Sequence, residues 1–173
     1  MMNNESQVRL LFITLVTFFL PVSSAFAGIH TWDVVEVFSN ADGTVQYIEL
    51  LDRGTAGNEL GVGNGSFTSG STSYSWSNGA VVGPTNGRRY LIATPGFAAL
   101  PGAPTPDVLV PTANVPMFSS AGDTVSFAGV DSFVFAGIPT NGTDAFDDTV
   151  GIIANSPTNF AGVTGSVSVG GNP

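Results

Sequence analysis

The chain has 173 residues, a net charge of −9 and no cysteine. Its four basic residues are all arginines, whereas Asp and Glu number thirteen. This charge argues against a nucleic-acid or anionic-membrane partner, because both are bound largely through Lys and Arg. Without cysteine there are no disulfides, thiolate ligands or thiol nucleophiles, and without lysine there is no Schiff-base chemistry.

Residues 1–27 have the composition of an export signal. Arg9 precedes the apolar run LLFITLVTFFL of residues 10–20, and Ala25-Phe26-Ala27 matches the A-x-A cleavage pattern. A membrane-spanning helix needs about 20 apolar residues, and this run is shorter. We therefore expect cleavage after Ala27 and a single exported domain of residues 28–173, secreted or periplasmic.

Beyond the signal, short β-type runs alternate with Gly, Pro, Asn and Ser. The first two runs, residues 31–38 and 44–51, flank an Asn/Asp/Gly turn and predict a hairpin. Further strands are predicted at residues 74–76, 90–94, 107–110, 124–128, 132–136 and 163–169. One helical turn is predicted at residues 96–100, between two prolines. No segment has a sustained 3.6-residue apolar period, so we predict an all-β sandwich or small barrel.

Two segments have the composition of loops, and one further region has that of a hairpin. Residues 54–70 are mostly Gly, Asn, Ser and Thr, and residues 101–106 read PGAPTP. In residues 122–137, apolar side chains alternate with polar or small ones on both sides of a glycine turn. The predicted core residues of this second hairpin are Val125, Phe127, Phe133 and Phe135.

Several motifs, in their order along the chain, resemble a lamin tail domain. They are V-x-E-V at residues 34–37, Y-I-E-L at 47–50, G-R-R-Y-L-I-A-T at 87–94, and G-D-T-V-S-F followed by D-S-F-V-F within 122–135. The family is an immunoglobulin-like β-sandwich found in nuclear lamins and in many exported bacterial proteins. S-N-A-D-G-T-V-Q-Y-I-E-L and G-F-A-A-L-P-G-A-P-T-P-D resemble a bacterial exported group of that type. The resemblance covers most of residues 32–160 and implies binding or scaffolding, with no catalytic residues to carry over.

Glu36 and Glu49 stand in the two arms of the first hairpin, at the acidic strand positions of that family. Two carboxylates about 5 to 9.5 Å apart could serve glycoside hydrolysis. Strand carboxylates more commonly pair with neighbouring groups, here Gln46, Tyr47 or the backbone. The structural interpretation is favoured, and a carboxylate-based hydrolase acting on polysaccharide stays the alternative.

Asp144, Asp147 and Asp148 lie close together in the sequence TNGTDAFDD and offer the hard oxygen ligands that Ca²⁺ prefers. Asn40 and Asp42 form a second candidate loop. Neither loop has the EF-hand spacing, and turns favour Asn and Asp in any case. The first loop is the better calcium candidate, and no other cofactor is predicted.

The remaining polar and aromatic candidates favour structural interpretations. His30, the only histidine, lies close to the expected mature N-terminus, a poor position for a general base. Arg88 and Arg89 precede a predicted strand, where an internal salt bridge is favoured over a docking site for an anionic partner. Three aromatic residues could form a sugar platform, although core packing is the commoner arrangement. They are Trp32, Tyr74 and Trp76.

The sequence therefore predicts an exported, single-domain, lamin-tail-like β-sandwich of the immunoglobulin-like type. We expect a non-enzymatic binding or surface-interaction module with a protein or polysaccharide partner at the cell surface. Besides the hydrolase, a self-assembling extracellular matrix component is an alternative, with the predicted last strand at residues 163–169 pairing at an exposed edge.

Overall fold

The computed structural model describes residues 28–170. The predicted signal segment and the cleavage pattern at Ala27 lie outside these residues. Within this range, ten strands form two packed sheets, with one short α-helix and two 3-10 turns. The predicted all-β sandwich is confirmed. No helix of the described part is long and apolar enough to cross a membrane.

The two sheets differ in size. The larger sheet has the strand order β10-β9-β1-β2-β5-β6, and the smaller one has the order β4-β3-β7-β8. The pairing is antiparallel except between β5 and β6. The strands are β1 (Trp32–Ser39), β2 (Gln46–Asp52), β3 (Ser66–Thr68), β4 (Ser73–Ser75), β5 (Arg89–Ala93), β6 (Val108–Leu109), β7 (Asp123–Phe127), β8 (Asp131–Phe135), β9 (Asp144–Asp147) and β10 (Gly151–Ala154). The helix α1 is Pro95–Ala98, and the 3-10 turns are Leu60–Asn64 and Thr112–Asn114.

The first predicted hairpin is formed by β1 and β2. In its turn the Asp42 carboxylate accepts the Thr44 N–H at 3.0 Å, and Gly43 adopts a φ of +72°, which glycine tolerates best. A bulge in β1 between Val34 and Glu36 shifts the register. The bulge sets Glu36 directly opposite Glu49 on β2.

The main core lies between the two sheets. Of the four core residues predicted for the second hairpin, Val125, Phe127 and Phe135 are buried, and Phe133 is half-buried against them. The ring of Trp76 stacks on that of Phe127, with centroids 6.2 Å apart. Such aromatic pairs add to the free energy gained from burial alone.

A third layer covers the outer face of the larger sheet. Residues 155–169, here called the covering segment, cross this face, and α1 packs beside them. The Thr94 hydroxyl caps α1 by accepting the Phe97 N–H at 3.3 Å, and Phe97 is buried. A second apolar cluster results, built from residues of both layers. Its fully buried large side chains include Phe38, Tyr47, Leu91 and Phe97, and it also contains Val167.

The predicted strand at residues 163–169 is wrong. This part of the covering segment forms only an isolated bridge, between Thr158 and Thr164. Side-chain amides take the place of a neighbouring strand, because Asn155 both accepts the Val167 N–H at 2.8 Å and donates to its carbonyl at 2.8 Å. The β-type composition therefore reflects an extended chain whose backbone is satisfied by asparagine.

Two predicted loops contain strands. Residues 54–70 include the turn Leu60–Asn64 and β3, and the acidic sequence TNGTDAFDD includes β9. One aromatic residue anchors each strand to the main core: Phe67 in β3 is buried, and Phe146 in β9 is half-buried. Strands of three or four residues contain too few alternations to stand out in a sequence rich in glycine and serine.

Candidate functional site

The Glu36 carboxylate lies beneath the covering segment, with 1% of the residue exposed. It accepts hydrogen bonds from the Tyr47 hydroxyl, from the Ser156 N–H at 3.1 Å and from the Ser156 hydroxyl at 3.3 Å. Burial, together with the neighbouring Glu36 charge, raises the pKa of Tyr47 well above its ordinary value, so Tyr47 stays a donor. Glu36 therefore fastens the covering segment to β1.

Glu49 has the same role on β2, and its exposure is 0%. One carboxylate oxygen pairs with Arg89 of β5, and the other accepts the Thr158 N–H at 2.5 Å. An internal salt bridge was the favoured prediction for Arg88 and Arg89, and it is confirmed for Arg89. The structural interpretation of the two glutamates accounts for the contacts of both side chains, and both are buried.

The three aspartates of the calcium prediction lie at the two ends of β9 and just beyond it. Asp144 accepts from the Asn141 amide at 2.7 Å, and Asp148 forms an ion pair with Arg53 at 2.5 Å. Asp147 accepts the N–H groups of residues 149 and 150 at 2.8 and 2.9 Å. Burial raises the pKa of Asp147, but hydrogen bonds from the Thr149 hydroxyl and from these two N–H groups outweigh burial and hold that pKa below its ordinary value.

Among residues 28–170, no group of three or more His, Asp or Glu side chains is arranged to hold a metal ion. The carboxylates of the acidic loop instead close a turn, bind an amide and pair with an arginine. The second candidate loop is similar, because Asp42 accepts both the N–H and the hydroxyl of Thr44. These hydrogen bonds lower the pKa of Asp42.

The aromatic residues considered as a sugar platform are packed inside the molecule. Trp32 and Trp76 are buried, and their indole N–H groups donate to the carbonyls of Glu59 and Val62 at 2.9 and 2.8 Å. Tyr74 is half-buried against the same core. The predicted core packing is confirmed, so any sugar-binding surface must use other side chains.

The outer side of the smaller sheet carries a surface that the sequence analysis missed, here called the hydroxyl face. It consists of the residues that alternate with the core residues along β3, β4, β7 and β8. They are Ser66, Thr68, Ser73, Ser75, Thr124, Ser126, Ser132 and Val134. None of them carries a charge, and seven of the eight carry a hydroxyl group.

Four of these residues form a straight row across the whole sheet. Ser73 of β4 is opposite Thr68 of β3, Thr68 is opposite Ser126 of β7, and Ser126 is opposite Ser132 of β8. Neighbouring strands are about 4.8 Å apart, so the row spans roughly 14 Å. The signal was present in the sequence as SFT, SYS and TVS, where every second residue is Ser or Thr. This alternation did not predict a sheet face, because β3 lies in a segment whose composition predicts a loop.

A shallow depression is a further open site of the described surface. Its volume is about 620 Å³, and its lining includes Ile138, Asn141, Asp144 and Ile152. The Asn141 amide oxygen accepts the Asp144 N–H at 2.9 Å, while its NH₂ group donates to the Asp144 carboxylate. Asn141 and Asp144 therefore already bind one another, as the Ser126 and Ser132 hydroxyls of the hydroxyl face also do.

No known protein family matches the chain, and neither does any curated protein or solved structure. The class of the protein is therefore defined by its fold, an all-β sandwich of two sheets with a covering segment. Its function is argued from its surface.

Proposed function

We propose that this protein is an exported, non-enzymatic binding module of the lamin-tail-like type that holds an uncharged, hydroxyl-rich partner on its hydroxyl face. A neutral polysaccharide at the cell surface is the partner class with this chemistry. The observation that carries the proposal is the charge-free row of hydroxyl residues across β4, β3, β7 and β8.

The protein carries a net charge of −9. Binding through a charged surface would strip water from carboxylates, which is costly unless each one is paired. The hydroxyl face avoids this cost. Each Ser or Thr hydroxyl can both donate and accept a hydrogen bond, which suits the hydroxyl groups of a sugar. The strands hold the hydroxyl groups at fixed spacing, so little conformational freedom is lost on binding.

The non-enzymatic part of the proposal is supported by the placement of the carboxylates. Hydrolysis by a glutamate pair requires both groups to face a cleft that admits a sugar ring and water. Glu36 and Glu49 instead lie under the covering segment, with their oxygens bound to Tyr47, Arg89 and the backbone. The resemblance to the lamin tail family supports the same conclusion, since it implies binding rather than chemistry.

Thermal unfolding against a panel of soluble glycans tests the proposal. A neutral glycan at about 100 times its dissociation constant adds about 2.7 kcal/mol to the free energy of unfolding. For a domain of this size the melting temperature should rise by roughly 5 to 10 °C. An anionic glycan of equal length serves as the matched control and should have no effect. If no neutral glycan shifts the melting temperature, the partner class is wrong and protein partners should be sought.

Self-association is a second candidate function, favoured by the edge strand β10. Ile152 on this strand and Val150 beside it are 64% and 73% exposed. An edge with apolar side chains and unpaired backbone groups can add a strand from a second copy. Size-exclusion chromatography over a range of concentrations distinguishes the two functions. Oligomers that disappear in Ile152→Lys would favour self-association, whereas a monomer at every concentration would contradict it.

A further inference from the structure

The N-terminal end of the described chain lies against a single carboxylate. A Cβ added at Gly28 would meet the His30 ring and would lie 3.0 Å from Glu59 Oε2. The α-nitrogen and this Cβ position are both bonded to Cα, so the nitrogen lies within about 5.5 Å of the same oxygen. The Gly28 carbonyl accepts the Gly61 N–H at 3.4 Å, which holds the chain end in place.

Glu59 is fixed from several directions. Its backbone carbonyl accepts the buried indole of Trp32 at 2.9 Å, and its N–H donates to the Thr85 hydroxyl at 3.1 Å. Its carboxylate accepts the His30 N–H at 2.7 Å, and its side chain is only 15% exposed. The oxygen that accepts the His30 N–H, Oε2, is also the one nearest the Cβ position of Gly28.

We propose that Glu59 is the binding site for the α-ammonium group that cleavage after Ala27 creates on Gly28. This inference rests on the export signal in the proposed function, but not on the hydroxyl face. Hydrolysis of the Ala27–Gly28 bond by an export endopeptidase consumes one water. It leaves a carboxylate on Ala27 and an amine on Gly28, and the amine takes up a proton at neutral pH.

In the uncleaved chain the same nitrogen is a neutral amide and cannot form this ion pair. Cleavage therefore adds a contact that the precursor lacks, and the mature end is fastened to the turn Leu60–Asn64. A charge-assisted hydrogen bond of this kind is shorter and stronger than a neutral one.

The composition of the protein provides a clean test. The chain has no lysine, so after cleavage its α-amine is the one primary amine. The full-length chain is expressed, the exported product is purified, and its N-terminus is determined by mass spectrometry. Half of the sample is then acetylated with an N-hydroxysuccinimide ester, which removes the N-terminal charge. The same treatment is applied to Glu59→Gln, in which the His30 N–H keeps an oxygen acceptor.

Acetylation should lower the melting temperature of the unsubstituted protein by roughly 1 to 3 °C, as expected for a partly screened ion pair. It should leave the melting temperature of Glu59→Gln unchanged. An equal effect in both proteins, or an exported product that does not begin at Gly28, would overturn the proposal. If no glycan changes the melting temperature, the proposed binding function is wrong, but the ion pair between Glu59 and the N-terminus is not contradicted.

A second measurement tests the ion pair without the Glu59→Gln variant. The pKa of the α-amine, measured by NMR after reductive ¹³C-methylation, should lie above its ordinary range of about 7.7 to 8.0. The ionisable groups facing it are the Glu59 carboxylate and the His30 imidazole, whereas the turn Leu60–Asn64 carries none. The stabilisation is then complete below the ordinary pKa and is lost as the pH rises through the raised one. A pKa within or below the ordinary range would contradict the ion pair.

Discussion

Glu49 accepts the backbone N–H of Thr158 at 2.5 Å, although the two residues are 109 positions apart in the sequence. The same carboxylate pairs with Arg89. One buried side chain thus joins β2, β5 and the covering segment. This contact explains why an acidic residue occupies a strand position that is 0% exposed.

Replacing Glu49 with leucine should destabilise the protein by roughly 2 to 4 kcal/mol. The substitution leaves the Thr158 N–H without its acceptor, and it removes the ion-pair partner of Arg89. Because Arg89 is partly exposed to water, the loss of its partner lowers the stability less than it would at a fully buried site. Urea unfolding at neutral pH provides the measurement. Asp148→Leu is the matched control, because its ion pair with Arg53 is more exposed and should contribute less than about 1 kcal/mol. Equal losses in the two variants would show that Glu49 does not hold the covering segment.

Phe127→Ala should lower the free energy of unfolding by about 3 to 5 kcal/mol, since the ring is fully buried in the main core and leaves a cavity. Val134→Ala on the neighbouring strand is the control. Its side chain is 68% exposed, and its effect should stay within about 0.5 kcal/mol. Both values follow from urea unfolding curves. A loss below about 1 kcal/mol for Phe127→Ala would contradict the placement of the Phe127 ring between the two sheets.

Asp107 should make the stability depend on pH. Burial raises its pKa, although hydrogen bonds from the N–H groups of Leu91 and Phe160 partly oppose this shift. The folded chain then binds a proton more readily than the unfolded chain, so the free energy of unfolding falls as the pH rises through the raised pKa. Asp107→Asn removes this titration while keeping an oxygen acceptor. Between about pH 4 and pH 7 the variant should lose less stability than the unsubstituted protein. Identical losses would contradict a raised pKa at Asp107.

Calcium should not change the melting temperature. The carboxylates of Asp144, Asp147 and Asp148 already bind Asn141, the turn after β9 and Arg53, and a calcium ion would have to displace these groups. Thermal unfolding in millimolar CaCl₂ and in EDTA provides the test. A rise in calcium that EDTA reverses and that Asp144→Asn abolishes would instead establish the predicted calcium site.

Much of the fold could be predicted from the sequence, because both long hairpins carry complete local signals. The first has an Asp-Gly turn between two arms rich in Val, Ile and Tyr, and the second alternates Val125 and Phe127 with small polar residues. β3 and the pair β9 and β10 were missed, since they are short and are held by contacts with strands far away in sequence. The covering segment was mistaken for a strand because its pairing groups are the side chains of Asn155 and Asn159.

The candidate site was predicted less completely than the fold. The sequence indicated that Glu36 and Glu49 are structural, but not that they bind the covering segment, because their partners Ser156 and Thr158 follow more than 100 positions later. The hydroxyl face depends on the register of four strands. Serine and threonine are also common in loops, so their alternation acquires meaning only when the strand order is known.

The most direct test of the proposed function is the binding of the purified protein to neutral polysaccharides, compared with its Thr68→Glu variant. The substitution places a charge in the middle of the hydroxyl row, where a bound partner would have to desolvate it. Val82→Glu is the control, because it adds the same charge at a side chain that is 84% exposed and lies outside the hydroxyl face. Binding by the unsubstituted protein and by Val82→Glu, with at least a tenfold loss in Thr68→Glu, is the predicted result. Equal binding by all three proteins would contradict the hydroxyl face as the binding surface.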